Sequence, residues 1–183
     1  MGQSAWTYMF GALIPLIVSN VLHMVLVKKN RWSALAKPIN ARAFGENKTW
    51  RGVVFVSFVN GLLYCLINWP GGAWMSFLPQ NAWKDLGFLF FVGWLYGMAY
   101  VIFELPNSWI KRKMGIAPGE SSTKYRGFFA LMDKTDSALG VSLVFAYFHD
   151  MQWDLAGRFF LCASLLHIVF SLILKAVRIK KSF

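Results

Sequence analysis

Charge is what this chain has least of. Asp, Glu, Lys and Arg make up 15% of its 183 residues, where a soluble domain carries about a quarter. Acidic residues are scarcest, 8 against 19 basic ones. Two cysteines, Cys65 and Cys162, each fall inside an apolar run, which excludes a disulfide framework and a CxxC metal site. The three histidines, His23, His149 and His167, lie far apart without metal-ligand spacing. No Ser-His-Asp or Cys-His arrangement stands out, which argues against nucleophilic hydrolysis. Residues 1–8 carry no Lys or Arg, so the first apolar run does not read as a cleavable signal peptide. Repeats and low-complexity tracts are also missing.

What the chain has is hydrophobicity: 57% of residues are hydrophobic and 17% aromatic. Apolar runs long enough to cross a bilayer predict an all-α integral membrane protein. Five spans are read, Tyr8–Val27, Gly52–Trp69, Leu86–Leu105, Gly127–Phe148 and Leu155–Val177, forming one bundle and one domain over residues 1–183. The net charge of +11 does not signal nucleic acid here, because its distribution follows topology. Lys28, Lys29, Arg31, Lys37, Arg42, Lys48 and Arg51 lie between the first two spans. Lys111, Arg112, Lys113, Lys124 and Arg126 lie between the third and fourth, and Lys175, Arg178, Lys180 and Lys181 at the end of the fifth. The other side offers only Lys84 and Arg158. The positive-inside rule then places the N-terminus outside and both basic loops and the C-terminus in the cytoplasm of a cell (inner) membrane. Trp6, Tyr8, Trp69, Trp74 and Trp83 suit the outer interfacial belt, and Pro70-Gly71-Gly72 reads as an external turn.

Against this background Asp133, Lys134 and Asp136 are conspicuous, because they sit inside the fourth span. Three ionised groups at membrane depth would cost about 8–10 kcal/mol on insertion scales. A metal ion, basic partners or a water-filled cavity must compensate them. On a helix Asp133 and Asp136 share a face, with Cβ atoms about 5–6 Å apart. Ser137 extends that face and Lys134 points about 100° away. Two close carboxylates supply the hard oxygen ligands that Mg²⁺ takes together with phosphates. An internal Asp–Lys ion pair is the structural alternative.

Both predicted cytoplasmic loops look functional. The first closes with Asn47-Lys48-Thr49-Trp50-Arg51-Gly52. Asn47 or Thr49 there caps the second span, leaving Lys48 and Arg51 beside the positive end of a helix dipole, an arrangement suited to phosphate or to interfacial snorkelling. In the second, Pro106 is expected to end the third span just after Glu104. Asn107 or Ser108 then caps a short helix carrying Lys111 and Arg112, as phosphate ligands or as a topology anchor.

Asn47-Lys48-Thr49-Trp50-Arg51-Gly52, Ser108-Trp109-Ile110-Lys111-Arg112, Gly115-Ile116-Ala117-Pro118-Gly119 and Asp133-Lys134-Thr135-Asp136 together resemble the CDP-archaeol synthase family. This is a compact branch of the membrane cytidylyltransferases that also include the CDP-diacylglycerol synthases. The resemblance covers about Pro38 to Gly140. It implies that CTP and a membrane lipid phosphate, archaeol phosphate-like or phosphatidic acid-like, give a CDP-lipid and pyrophosphate with Mg²⁺. It implies catalytic roles for Asp133, Lys134 and Asp136, with Asp133 and Asp136 as metal ligands and Glu104 a candidate third. Lys48, Thr49, Arg51, Ser108, Lys111 and Arg112 would bind the CTP phosphates, and Lys134 the lipid phosphate. Partners are CTP, the lipid phosphate and membrane lipids; a homodimer is allowed. The chain departs from the larger synthases in having Gly127-Phe128-Phe129-Ala130-Leu131 where they carry a Gly-Gly run. It departs from the small branch in having Asn107 where an acidic residue is frequent.

Three rival readings follow from other features. A lipid-binding scaffold explains the basic loops but not the acidic pair. A CDP-alcohol phosphotransferase would need that family's Asp-Gly-x-x-Ala-Arg element with its patterned set of four aspartates, which is missing. A coupled transporter would want charges deep in several spans and inverted repeats.

Overall fold

The structure is a computed structural model describing residues 5–68, 85–120, 122 and 125–177. The predicted turn at Pro70-Gly71-Gly72, the belt residues Trp69, Trp74 and Trp83, and Lys84, Lys124, Arg178, Lys180 and Lys181 lie outside them. The described residues form helices joined by short links: α1 Ala5–Lys28, α2 Ala41–Phe44, α3 Trp50–Asn68, α4 Leu86–Lys113, α5 Arg126–Phe148 and α6 Trp153–Ala176. A 3₁₀ turn at Ser33–Leu35 follows α1, and one isolated bridge pairs Pro38 with Thr49.

Among the described residues four helices are long and apolar enough to cross a membrane, within Tyr8–Lys28, Trp50–Asn68, Leu86–Lys113 and Trp153–Leu174. This is the pattern of a multi-pass membrane protein. The predicted fourth span is different. Helix α5 has the length, 23 residues or about 34 Å against a hydrocarbon core of about 30 Å. Its Asp133, Lys134 and Asp136 keep it from qualifying on apolar composition.

The packing order is α1–α3–α4–α5–α6, with α6 touching α1 only lightly. The central cluster draws Met9, Leu13 and Leu16 from α1, Tyr64 from α3, and Leu89, Val92 and Tyr96 from α4. Val141 and Phe145 join from α5, and Phe159 and Ala163 from α6. Each comes from the half of its helix farther from the basic loops, so that half is a close-packed apolar plug. The nearer half holds the buried charged residues Arg51 and Lys134. Outward faces stay apolar, as at Leu66, Leu161 and Leu165, all more than half exposed. Patches of that extent suit lipid rather than water.

Helices α3 and α4 approach most closely. A Cβ on Gly97 would lie 2.6 Å from the Ser57 Cα, and one on Gly93 would lie 2.4 Å from the Tyr64 Cβ. Small residues let backbones meet where lipid offers no hydrophobic drive, and Asn60 seals the contact by donating to the Gly93 carbonyl at 2.6 Å. Gly97→Ala is therefore expected to destabilise by about 1–3 kcal/mol through overpacking. Gly157→Ala, with nothing within 4 Å of its added Cβ, is the matched control. Thermal unfolding in detergent separates the two.

One expectation is corrected. Pro106 does not end the third span: α4 runs unbroken from Leu86 to Lys113. A proline forfeits one backbone bond and crowds the carbonyl four residues back, here that of Ile102, a cost that the packing of α4 between α3 and α5 overrides. The Ser108 hydroxyl donates to the Glu104 carbonyl at 2.9 Å, the usual back-bond of a serine inside a helix. Asn107 and Ser108 are thus mid-helix residues, not caps.

Candidate active site

Continuity of α4 has a direct consequence. Tyr100, Glu104, Asn107, Ser108 and Lys111 follow one another at helical spacing on one face. That face looks onto α5, where Asp133, Asp136 and Ser137 form the opposing stripe. Together with α1, α6 and the two basic loops they enclose a cavity of about 730 Å³. Its lining includes Asn47, Lys48, Glu104, Asn107, Ser108, Lys111, Arg112, Asp133, Lys134 and Asp136. The cavity lies at the end of the molecule that carries the basic loops.

Asn107 is its keystone. Its amide donates to Asp133 Oδ1 at 2.7 Å and to Asp136 Oδ2 at 2.9 Å, clamping both carboxylates. The residue is 3% exposed, and its own Oδ1 is buried with no hydrogen-bond partner. Asp136 Oδ1 also accepts the Ser137 backbone N–H at 2.6 Å. Lys111 Nζ lies 2.5 and 2.6 Å from the two oxygens of Asp133. The internal Asp–Lys pair expected as the alternative is thus present, but with Lys111 rather than Lys134. Lys134, 3% exposed, turns to α6 and donates to Ser171 Oγ at 2.7 Å.

Lys48 forms an ion pair with Glu104. Burial alone would depress its ammonium, but the Glu104 carboxylate, with Asp136 and Asp133, outweighs that and holds the group above its ordinary value. A raised lysine contributes stability below its unfolded pKa of about 10.4, and loses it only as pH rises through the folded value. At neutral pH Lys48 is a fixed cation.

Arg112 lines the cavity and also a neighbouring basic recess with Asn40, Arg42, Trp109 and Lys113. Its Nε is buried without an acceptor, an orphan donor where anions are already favoured. The first loop is held against this region at Gly45, whose φ of +89° suits glycine alone. A Cβ there would stand 3.0 Å from both Arg112 Nη1 and Pro118 Cγ. Asn40 caps the short helix α2 by accepting the Ala43 N–H at 3.0 Å.

Two sequence candidates stand apart. Arg51 is 7% exposed and outside the cavity lining, its Nη1 donating to the Arg31 carbonyl at 3.0 Å. Thr49 is likewise outside the lining; it pairs with Pro38, and its carbonyl accepts the Gly52 N–H at 3.0 Å. Both serve the first loop's shape. Conversely, the cavity contains Asn20, His23, Tyr100 and His167, which the sequence alone does not single out. Of these, Tyr100 carries a readable signal, its position one turn before Glu104.

Among the described residues no group of three or more His, Cys, Asp and Glu could hold a metal ion. Mg²⁺, however, is commonly bound by one or two carboxylates completed by water and substrate phosphates. The clamped pair Asp133–Asp136, beside the unpartnered Asn107 Oδ1, fits that mode. Comparison with family models, with curated proteins and with solved structures finds no match to this chain.

Proposed function

We propose that the chain is a CTP:lipid-phosphate cytidylyltransferase working at the cytoplasmic edge of a five-span membrane bundle. The observation that carries this reading is the cavity in which two clamped carboxylates share the lining with basic side chains that include Lys48, Lys111 and Arg112. Such a mixture suits a ligand that itself combines phosphates with a divalent cation. Mg²⁺ entering with the nucleotide would be held by Asp133 and Asp136 and would neutralise phosphate charge. Lys111 and Lys48, which now neutralise carboxylates, would turn to phosphate oxygens, and the orphan Nε of Arg112 would gain an acceptor.

The chemistry requires little more than positioning. An oxygen of the lipid phosphate, already anionic and needing no general base, forms a bond to the α-phosphorus of CTP. The bond from that phosphorus to the bridging oxygen breaks, and pyrophosphate leaves with the electron pair. Ser108, Lys48, Lys111 and Arg112 hold the triphosphate. Lys134 orients the acceptor phosphate beside Asp136, at the wall shared with α6.

The proposed fifth span is α5, on which Phe128, Leu131, Leu139, Leu143 and Tyr147 form an exposed apolar face bordering the charged one. That layout lets charges reach membrane depth while facing a cavity. The apolar groove between α1 and α6, lined by Leu13, Ile17, Val21, Leu166 and Phe170, continues from the cavity and offers a path for hydrocarbon chains.

Purified protein in detergent with labelled CTP, Mg²⁺ and a panel of lipid phosphates is expected to release pyrophosphate and form a CDP-lipid with at least one of them. ATP, GTP and UTP serve as competitors. No turnover across the panel would refute the assignment. Gly45→Val is expected to raise the KM for CTP about tenfold with kcat less affected. It strains a glycine-only backbone by about 1–3 kcal/mol and pushes on Arg112.

The ion pairs Lys111–Asp133 and Lys48–Glu104 favour one rival, a lipid-binding scaffold in which they only fasten helices. That rival predicts no nucleotide binding.

A further inference from the structure

The floor of the charged cavity is neither charged nor apolar. Three helices each contribute one neutral polar side chain there, Asn20 from α1, Tyr100 from α4 and His167 from α6, and Ser137 from α5 adjoins them. Asn20 Nδ2 donates to the Tyr100 hydroxyl at 2.7 Å. Ser137 Oγ lies 3.4 Å from His167 Nδ1. The Tyr100 and His167 rings are 6.0 Å apart. Asn20, Tyr100 and His167 line both the charged cavity and the apolar groove beyond it, where Ser137 also sits. The belt is therefore shared by the two.

Its position along the helices is ordered. On α5 the charged residues Asp133, Lys134 and Asp136 come first, Ser137 next, then Ala138 and Val141, within about 12 Å of rise. On α6, running the other way, Ser171 at the Lys134 level is followed inward by His167 and then Ala163, which lines the apolar groove. Along α5 the order is ionic, neutral hydrogen-bonding, apolar, and α6 sets Ser171, His167 and Ala163 beside it. A phosphate joined to hydrocarbon through a glycerol ester or ether has the same sequence of groups. A simple alkyl phosphate lacks the middle one.

We infer that Asn20, Tyr100, Ser137 and His167 form the subsite for the oxygens that link the acceptor's phosphate to its chains. The belt thereby selects glycerol-linked lipid phosphates over alkyl phosphates. The inference rests on the lipid-phosphate reading above and adds to it a specificity determinant distinct from the phosphate and nucleotide ligands. These are positioning and selecting groups, not catalytic residues.

The test is equilibrium binding to the full chain in detergent, without CTP, of two probes: a two-chain glycerol phosphate (ester- or ether-linked) and hexadecyl phosphate. The glycerol phosphate is expected to bind about tenfold tighter, the scale of one or two well-made hydrogen bonds. Tyr100→Phe and His167→Phe, confirmed folded by size exclusion, should bring that ratio close to one while leaving hexadecyl phosphate affinity unchanged. His167→Asn, which keeps a polar atom near Ser137, should retain part of the preference. A ratio of one in the unaltered protein, an unchanged ratio in folded variants, or equal losses on both probes would overturn the inference. Equal losses would make the belt a helix fastener only. If the unaltered protein binds neither probe, the lipid-phosphate reading itself falls. If it binds both but never turns over CTP, the nucleotidyltransfer reading falls and the belt stands.

Discussion

Replacing Asp136 by Asn is expected to lower nucleotidyltransfer by about 10³-fold, the scale of losing one preorganised electrostatic group, with little change in folding. The reason lies in what the side chain does in the structure. Its Oδ1 accepts from the Ser137 backbone and its Oδ2 from Asn107. An asparagine preserves the shape and one of those acceptors while removing the charge. Asp133→Asn should match it in activity but cost more stability, because Lys111 then faces a neutral amide across 2.5 Å. Steady-state rates of pyrophosphate release, alongside thermal unfolding of the same preparations, separate the two effects. Activity persisting in Asp136→Asn would contradict the role given to the acidic pair.

The second large effect concerns Lys111. Its side chain is 12% exposed and its partner Asp133 36% exposed, so the pair opens toward the cavity on the carboxylate side. Lys111→Met leaves Asp133 without its ion-pair partner, which is destabilising for partly buried charges. It also removes a phosphate ligand. Expected are a measurably lower unfolding temperature and a fall of about 10²-fold in kcat/KM for CTP. The double variant Lys111→Met with Asp133→Asn distinguishes the roles. Stability should recover, since no uncompensated charge remains, while activity should stay at its floor. Recovery of both would mean that the pair is a fastener and nothing more.

Much of this arrangement is legible in the sequence, for identifiable physical causes. The apolar runs give four of the helices directly, because hydrophobicity sustained over the thickness of a bilayer has little use outside one. The Asp133–Asp136 spacing gives the acidic stripe of α5, because helical geometry admits only one face for residues three apart. Pro106 misleads, since a proline in isolation argues for termination. Only the packed surroundings, with α4 set between α3 and α5, show the helix passing through. The stripe from Tyr100 to Lys111 stays hidden for the same reason, because it needs an unbroken helix to line up. Partner choice is also out of reach. Nothing in the chain says that Lys111 rather than Lys134 meets Asp133, or that Arg51 serves Arg31, because these follow from how helices are set against one another. Likewise Asn20 and His167 are separated by 147 positions in sequence (167 minus 20), and their proximity is a product of packing alone.

The most direct measurement replaces Mg²⁺ by Mn²⁺ and reads the electron spin resonance of the bound ion with CTP present. Because it needs no turnover, it tests ion and nucleotide sharing one pocket on the acidic stripe of α5. Tight binding with resolved coupling to phosphorus, abolished in both Asp133→Asn and Asp136→Asn, is the result expected. Manganese that stays free in solution, or a phosphorus-coupled signal undiminished in those variants, would contradict it.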